Sequence, residues 1–220
     1  MDQTAVLSAT PVVVSSKSKI RPAKGFKPAP SGRLASKLHL HDPQWLAGMR
    51  KRVRGAKYQG NLFDKKVGKV LAELSPWYSD HPWFTFLDSG VGRNLRWCQP
   101  DGLFVNFHLG HICIVEAKLT FTWDAYWELF HLYLPVVKDF FGPQWTYSCL
   151  NIVRTINPGS LLSDGETVPN PVNVLSSRLV APKLPGTTLR FPSRSFNVMP
   201  WNEADLRKGA SLLRKGAGLD

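Results

Sequence analysis

Two stretches of the chain repeat apolar residues at helical spacing, with charged side chains between them. Residues 61–74 and 123–141 show this pattern, and Gly142-Pro143 marks a stop after the second stretch. Asp42-Pro43 predicts a shorter helix that runs to about residue 53, because Asp caps helices and Pro is favoured at the first helical position. The sequence therefore predicts three helices in its first two thirds.

Four apolar stretches bounded by turn residues predict β-strands at 83–87, 102–109, 111–119 and 145–154. Only Gly110 separates the second stretch from the third, so these two should form a hairpin. The predicted helix at 123–141 lies between the third stretch and the fourth, which makes them parallel neighbours in one sheet. This order predicts an α/β protein with a mixed β-sheet flanked by helices. Beyond residue 157, weaker patterns predict a strand at 172–180 and a helix at 203–215.

Positive charge is concentrated in the N-terminal part of the chain. Residues 1–60 contain 12 Lys and Arg against two Asp, a net charge of +10, while residues 61–220 contribute only +2. Residues 15–37 mix Ser, Lys, Arg and Pro with few aliphatic side chains, so we expect no core residue there. We therefore predict three segments: a basic, disordered or extended arm at 1–40, a folded core at 41–156 and a C-terminal extension packed on that core at 157–220.

A basic arm of this kind is attracted to polyanions, with nucleic acid ahead of an anionic membrane or an acidic protein. The candidate nucleic-acid contacts are Lys17, Lys19, Arg21, Lys24, Lys27, Arg50, Lys51, Arg52 and Arg54. Two alternatives stay open. The charges at the end of the 42–53 helix also suit the helix dipole, and the arm could dock on a protein partner.

Cysteine and hydropathy patterns exclude several classes of protein. Three cysteines without a closely spaced pair do not build a disulfide framework or a typical zinc site, and they indicate a reducing, intracellular setting. The most apolar stretch, 121–141, contains charged side chains, a histidine and a proline, so it does not predict a membrane span. We expect a soluble protein of the cytoplasm or of a virion that does not bind membranes.

Candidate chemistry lies in Pro100-Asp101 and in Glu116-Ala117-Lys118. An acidic residue two positions before a Lys is expected about once by composition and occurs twice, so placement matters more than the tripeptide. Asp101 opens one predicted strand, and Glu116 and Lys118 share a face of the next. Two converging carboxylates repel each other and attract a hard divalent cation with oxygen ligands. A structural ion pair between Glu116 and Lys118 is the alternative.

This arrangement resembles the PD-(D/E)XK nuclease superfamily, which has the restriction-endonuclease-like fold, over roughly residues 60–154. The stretch Gly60-Asn61-Leu62-Phe63-Asp64 is similar to the Gly-x-x-Phe-Glu pattern of Holliday-junction-resolvase-like members, with Asp64 in place of the usual Glu. The resemblance implies a restriction-endonuclease-like mixed sheet and a metal-dependent nuclease activity. It also implies a catalytic role for Asp64, for which Glu73 is a weaker substitute.

The resemblance further implies a role for each residue of the motif. Asp101 and Glu116 would hold Mg²⁺ (or Mn²⁺) with help from the Ala117 carbonyl. Lys118 would orient the attacking water and offset charge that develops on the phosphate. Some exonuclease-like members carry a Gln and a Tyr on the following helix, and Glu128 and Tyr133 stand in that region as auxiliary candidates.

The sequence thus predicts a Mg²⁺-dependent nuclease that hydrolyses DNA phosphodiester bonds, of phage or prophage type. One alternative is a non-catalytic nucleic-acid-binding or virion-assembly protein that keeps the nuclease fold. Another is a basic adaptor without nuclease ancestry, in which the motif is coincidence.

Overall fold

A computed structural model describes residues 20–39, 41–48, 54–88, 94–157, 160–161, 164–169, 187–191 and 196–201. Its elements are β1 (Lys37–His39), α1 (Gln44–Gly48), α2 (Ala56–Leu74), β2 (Tyr78–Asp80), β3 (Trp83–Leu87), β4 (Leu95–Cys98), β5 (Gly102–Asn106), β6 (His111–Thr120), α3 (Asp124–Glu128), a π-helical turn (Leu129–Tyr133), α4 (Leu134–Phe141), β7 (Thr146–Thr155), β8 (Glu166–Pro169), β9 (Thr187–Phe191) and β10 (Phe196–Pro200). No helix within these ranges is long and apolar enough to cross a membrane.

Most of the strands form a seven-stranded mixed sheet in the order β2-β5-β6-β7-β10-β9-β8. β7 runs parallel to both β6 and β10, and the other neighbours are antiparallel. The predicted β5–β6 hairpin and the parallel β6–β7 crossover are therefore confirmed. The predicted strand at 83–87 forms as β3, but it belongs to a separate three-stranded sheet with β1 and β4.

Strand β6 lies at the centre of the fold and is covered on both faces. Ile112 and Ile114 pack in one core cluster with the helical segment that follows the strand, and Cys113 and Val115 pack in another with α2. All four side chains are fully buried. A strand covered on both faces requires a continuous apolar run, which explains why this segment does not alternate with polar residues. Any charged residue that continues the strand therefore enters a largely dry environment.

Helix α2 begins earlier than the pattern predicts. It starts at Ala56, five residues before the predicted start, after Gly55 in the left-handed region (φ 65°). Residues 56–59 are exposed, so they show no apolar periodicity that could have revealed the extra turn. The buried face of α2, with Phe63, Val67 and Leu71, packs against β6 as predicted.

The predicted helix at 123–141 is one helical segment, but a π-helical turn divides it into α3 and α4. Pro135, in the first turn of α4, has no amide hydrogen to donate to the carbonyl of His131. That carbonyl accepts a hydrogen bond of 2.7 Å from the backbone N–H of Ala29 instead. Pro135 therefore leaves the His131 carbonyl available to bind the N-terminal segment through Ala29.

Part of the predicted arm belongs to the folded body. Leu34 is only 2% exposed and lies in the same core cluster as the helices, so the expectation of no core residue in this stretch is wrong. Its backbone N–H and that of Ser36 donate to the carboxylate of Asp139 on α4. Strand β1 follows and pairs with β3. Local composition does not reveal these contacts because each partner lies far away in sequence.

Several other predictions differ from the structure or fall outside it. The first helix spans Gln44–Gly48, and residues 49–53 are outside the described ranges, as are the predicted strand at 172–180 and helix at 203–215. No strand was predicted at the positions of β1, β2, β4, β8, β9 or β10. The last strands within the described ranges also do more than pack on the core, because β10 pairs directly with β7 and extends the main sheet.

Candidate catalytic site

Asp101 reaches the motif on β6 through the antiparallel pairing of β5 with β6. Gly102 is paired with Val115, so the residue that precedes β5 lies beside the end of the buried run of β6. The backbone N–H of Ala117 donates a 2.6 Å hydrogen bond to Oδ2 of Asp101. Burial, followed by the nearby Asp64 carboxylate, raises the pKa of Asp101 to about 7. The hydrogen bond fixes this carboxylate next to Glu116.

Glu116 and Lys118 form an ion pair on the face of β6 that is covered by the helical segment. Nζ of Lys118 lies 2.6 Å from Oε1 of Glu116 and 2.5 Å from Oε2 of Glu128 at the end of α3. Burial and then the Asp101 charge raise the pKa of Glu116 well above its usual value. Burial lowers the pKa of Lys118, but the two glutamates outweigh it and raise the pKa overall. Lys118 is therefore positively charged, and the two glutamates hold its ammonium group in place.

The π-helical turn brings Glu128 and Tyr133 to the same place. A π-helix bonds residue i to residue i+5, so two residues five apart lie on one side of it, which an α-helix would not achieve. Tyr133 is 8% exposed. Burial and then the charges of Glu116 and Glu128 raise the pKa of its hydroxyl. Both auxiliary candidates therefore lie near the motif, and Glu128 contacts it directly.

Asp64 approaches Asp101 from α2, which covers the other face of the sheet. Its Oδ2 lies 2.7 Å from Nε2 of His81, and the ligating atoms of Asp64, His81 and Asp101 all lie within 4.8 Å of one another. Nδ1 of His81 lies 2.9 Å from Oδ1 of Asp80. Hydrogen bonds to Asp64 and then Asp80 raise the pKa of His81 to about 10. Neither His81 nor Asp80 was predicted as a site residue, because both lie between the predicted helix at 61–74 and the predicted strand at 83–87, where no periodic pattern is present.

A cation-binding site is expected to present buried oxygen atoms that have no hydrogen-bond partner within the protein. Oδ1 of Asp64 and Oε2 of Glu116 are buried and have no hydrogen-bond partner among the described residues. On β7, Asn151 stands in register with Glu116, is fully buried, and its side-chain amide likewise finds no partner in the described part of the chain. Such orphaned groups are costly and are expected where a bound group satisfies them. The oxygen-rich donor set therefore fits a divalent cation.

The remaining predicted residues are spread more widely. Glu73 is exposed on α2 and is not part of the cluster, so it does not substitute for Asp64. The Ala117 N–H holds Asp101, while a role for the Ala117 carbonyl stays a prediction. Among the candidate nucleic-acid contacts, Arg21, Lys24, Lys27 and Arg54 are exposed, and Lys17, Lys19, Arg50, Lys51 and Arg52 lie outside the described ranges.

Comparison with protein-family models, with curated proteins and with solved structures finds no match.

Proposed function

We propose that this chain is a Mg²⁺-dependent deoxyribonuclease of the PD-(D/E)XK type with the restriction-endonuclease-like fold. It would act in the cytoplasm of a host cell or as part of a virion. The observation that carries the proposal is the 2.6 Å hydrogen bond from Ala117 to Asp101. That bond joins the carboxylate of the residue that precedes β5 to the strand that carries Glu116 and Lys118, at a point that Asp64 also reaches from α2.

Each side chain has a physical role in this proposal. Asp101 and Asp64, whose candidate ligand atoms lie within 4.8 Å of each other, would hold the cation, and the Ala117 N–H keeps the Asp101 carboxylate oriented. Glu116 lies outside that group of ligand atoms and would join it from its place beside Asp101. A bound divalent cation polarises a phosphoryl oxygen and lowers the pKa of a water molecule. The ammonium of Lys118 offsets charge that develops on the phosphate, and Glu128 keeps it in position.

A cavity on the α2 side of the main sheet has features that would suit a nucleic-acid substrate. It has a volume of about 270 Å³ and is lined by Lys66 and Arg154, with Trp201 and Phe63 as aromatic walls. Phe63 belongs to the core cluster on the α2 side of the sheet, and the residues that line the cavity do not include Asp64, Asp101 or Glu116. Cations that neutralise phosphates beside a flat aromatic surface for a base are common features of nucleic-acid-binding grooves.

A non-catalytic nucleic-acid-binding or assembly protein is the second candidate. Its support is that Lys118 and Asp64 are both engaged in ion pairs, with Glu116 and Glu128 in one case and His81 in the other. In that case these ion pairs would only stabilise the end of the sheet and would not bind a metal. The two functions differ in whether neutral replacements abolish cleavage.

Cleavage of duplex DNA with purified variants tests the proposal. Asp101→Asn keeps an oxygen to accept the Ala117 hydrogen bond but removes the charge, so Mg²⁺-dependent cleavage should fall by at least about 100-fold while the melting temperature stays close to that of the wild type. Glu73→Gln is the matched control, because it neutralises an exposed carboxylate on α2. Full cleavage by Asp101→Asn, with contaminating nuclease excluded, would contradict the assignment.

A further inference from the structure

The candidate site combines an imidazole nitrogen with carboxylate oxygens. Nε2 of His81 faces Oδ2 of Asp64 at 2.7 Å, and both lie in the cluster with Asp101. Nitrogen and oxygen donors together suit first-row transition-metal dications, whereas Mg²⁺ binds almost entirely through oxygen. The presence of His81 therefore bears on which metal the site prefers.

Asp80 orients the imidazole of His81. Carboxylates play the same part beside histidines that bind metals in other proteins. Its Oδ1 lies 2.9 Å from Nδ1 of His81, so Nδ1 donates to Asp80 and Nε2 faces the Asp64 carboxylate. Histidines that bind metals usually donate their other ring N–H to a carboxylate or carbonyl, which fixes the tautomer and the ring plane. Hydrogen bonds to its backbone also hold His81, because its N–H donates to the Asp101 carbonyl and its own carbonyl accepts from the side-chain amide of Gln99.

Gly68 makes room for Asp80. It lies one turn after Asp64 on α2, and a Cβ at this position would stand 2.1 Å from Oδ1 of Asp80. A glycine inside a helix costs about 1 kcal/mol relative to alanine, so its presence in the middle of α2 needs a compensating reason. Close approach of Asp80, and through it the orientation of His81, supplies that reason.

The backbone of His81 adds an independent indication. Its φ is 48°, in the left-handed region that costs a non-glycine residue about 1–2 kcal/mol. A glycine would adopt this turn without strain. Strained side-chain-bearing residues concentrate at functional sites, where the side chain compensates for the conformation.

We propose that His81 is a metal ligand of the site and makes it bind Mn²⁺ in preference to Mg²⁺, with Asp80 and Gly68 as positioning residues. The inference rests on the proposed function only in using the carboxylates of Asp64 and Asp101. His81 and Asp64 would hold the cation in place of the proton that their 2.7 Å hydrogen bond shares, and that proton would be released to solvent. Oδ1 of Asp64, which has no hydrogen-bond partner within the described ranges, leaves this carboxylate a second oxygen for the cation.

Direct metal binding to the full chain tests the inference without any cleavage assay. We would titrate the protein with MnCl₂, follow free Mn²⁺ by its electron paramagnetic resonance signal, and compete with MgCl₂. The wild type should bind Mn²⁺ at least about 10-fold more tightly than Mg²⁺, and His81→Gln should lose about 10- to 100-fold in Mn²⁺ affinity with little change for Mg²⁺. His108→Gln is the matched control, because His108 is exposed in the turn at the opposite end of β5 and β6.

Pulsed electron paramagnetic resonance gives a signature that a merely structural histidine would not produce. The Mn²⁺ complex should show coupling to an imidazole ¹⁴N, which disappears in His81→Gln and persists in His108→Gln. Asp80→Asn and Gly68→Ala leave the imidazole in place but disturb its support, so each should weaken Mn²⁺ binding by about 10-fold. These two variants keep the test decisive should His81→Gln fold poorly.

The outcomes separate this inference from the proposed function. Equal affinity for the two metals, or a Mn²⁺ complex of the wild type without ¹⁴N coupling, overturns the role of His81 even where Mg²⁺ supports DNA cleavage. Tight Mn²⁺ binding with ¹⁴N coupling supports it even where no cleavage occurs, in which case the nuclease proposal fails alone.

Discussion

The Glu116–Lys118 pair allows stability and catalysis to be separated in one set of variants. Glu116 has a side chain only 5% exposed, and Lys118 compensates its charge at 2.6 Å. Breaking a buried pair by removing one partner costs about 3–5 kcal/mol, and replacing both partners with neutral groups of similar size is often close to neutral. The same residues should be indispensable for cleavage whether or not the protein remains stable.

Lys118→Met keeps the length of the side chain and leaves Glu116 buried without its cation. Because Lys118 is 27% exposed, we expect the low end of that range, a loss of about 3 kcal/mol in the free energy of unfolding. Glu116→Gln leaves Lys118 paired with Glu128 and should cost about 1 kcal/mol. The double variant should also cost about 1–1.5 kcal/mol, rather than the roughly 4 kcal/mol expected if the effects were independent.

The loss of stability in Lys118→Met should depend on pH in a direction that the pKa of Glu116 determines. Burial and then Asp101 raise the pKa of Glu116, while Lys118 opposes the rise. Without Lys118 the pKa should be higher still. A carboxyl whose pKa is higher in the folded than in the unfolded state binds more protons when folded, so stability falls as pH rises from the unfolded value to the folded one. Lys118→Met should therefore be more stable at about pH 5.5 than at about pH 8, relative to the wild type.

Urea unfolding followed by circular dichroism measures the stabilities, and cleavage of labelled duplex DNA measures activity. All three variants should lose at least about 100-fold in cleavage rate, including the double variant that folds well. Additive losses of stability would refute the coupling inferred from the 2.6 Å contact. Normal cleavage by the stable double variant would show instead that the pair only closes the end of the strand.

Two further predictions concern the N-terminal segment. Deletion of residues 1–19 should weaken binding to duplex DNA and flatten its salt dependence by about 0.9 per lost phosphate contact, as measured by titration at several salt concentrations; an unchanged salt slope together with loss of a protein partner would indicate a docking role. Asp139→Asn should destabilise the protein by about 1 kcal/mol in thermal unfolding, because the carboxylate accepts from the Leu34 and Ser36 amides. Burial raises the pKa of Asp139, but these hydrogen bonds outweigh it and lower the pKa overall. Their contribution to stability is therefore present at neutral pH and is lost as pH falls through the pKa of the folded state. Equal loss of stability in acid for Asp139→Asn and the wild type would contradict this.

The part of the site that follows strand periodicity could be predicted from the sequence. Asp101, Glu116 and Lys118 come together because β5 and β6 form the predicted hairpin, and a period of two keeps Glu116 and Lys118 on one face. The pattern also predicted the face of α2 that carries Phe63 inward. These inferences succeed because they depend only on local pairing and on which side of an element is apolar.

The contribution of His81 could not be predicted in this way. Its partners, Asp64 and Asp101, are 17 and 20 residues away, and a short turn with positive φ directs the ring. Periodicity carries no information about a turn, and a single histidine beside an aspartate is common. A glycine at position 68, one turn after Asp64, was the available signal, but a single helical glycine has too many explanations to identify the residue that approaches it.

The position of Asp101 one residue before β5 explains how both faces of the sheet contribute to one site. Glu116 and Lys118 point toward the helical segment, and Asp64 comes from α2 on the opposite face, so within the sheet the backbone would separate them. Only beyond the end of a strand can one side chain interact with both groups. Gly102 is the next residue, and a Cβ there would stand 2.2 Å from the hydroxyl of Tyr78, which donates to the Asp101 carbonyl. Gly102 thus allows Tyr78 to approach closely and to hold the backbone carbonyl of Asp101 immediately before β5 begins.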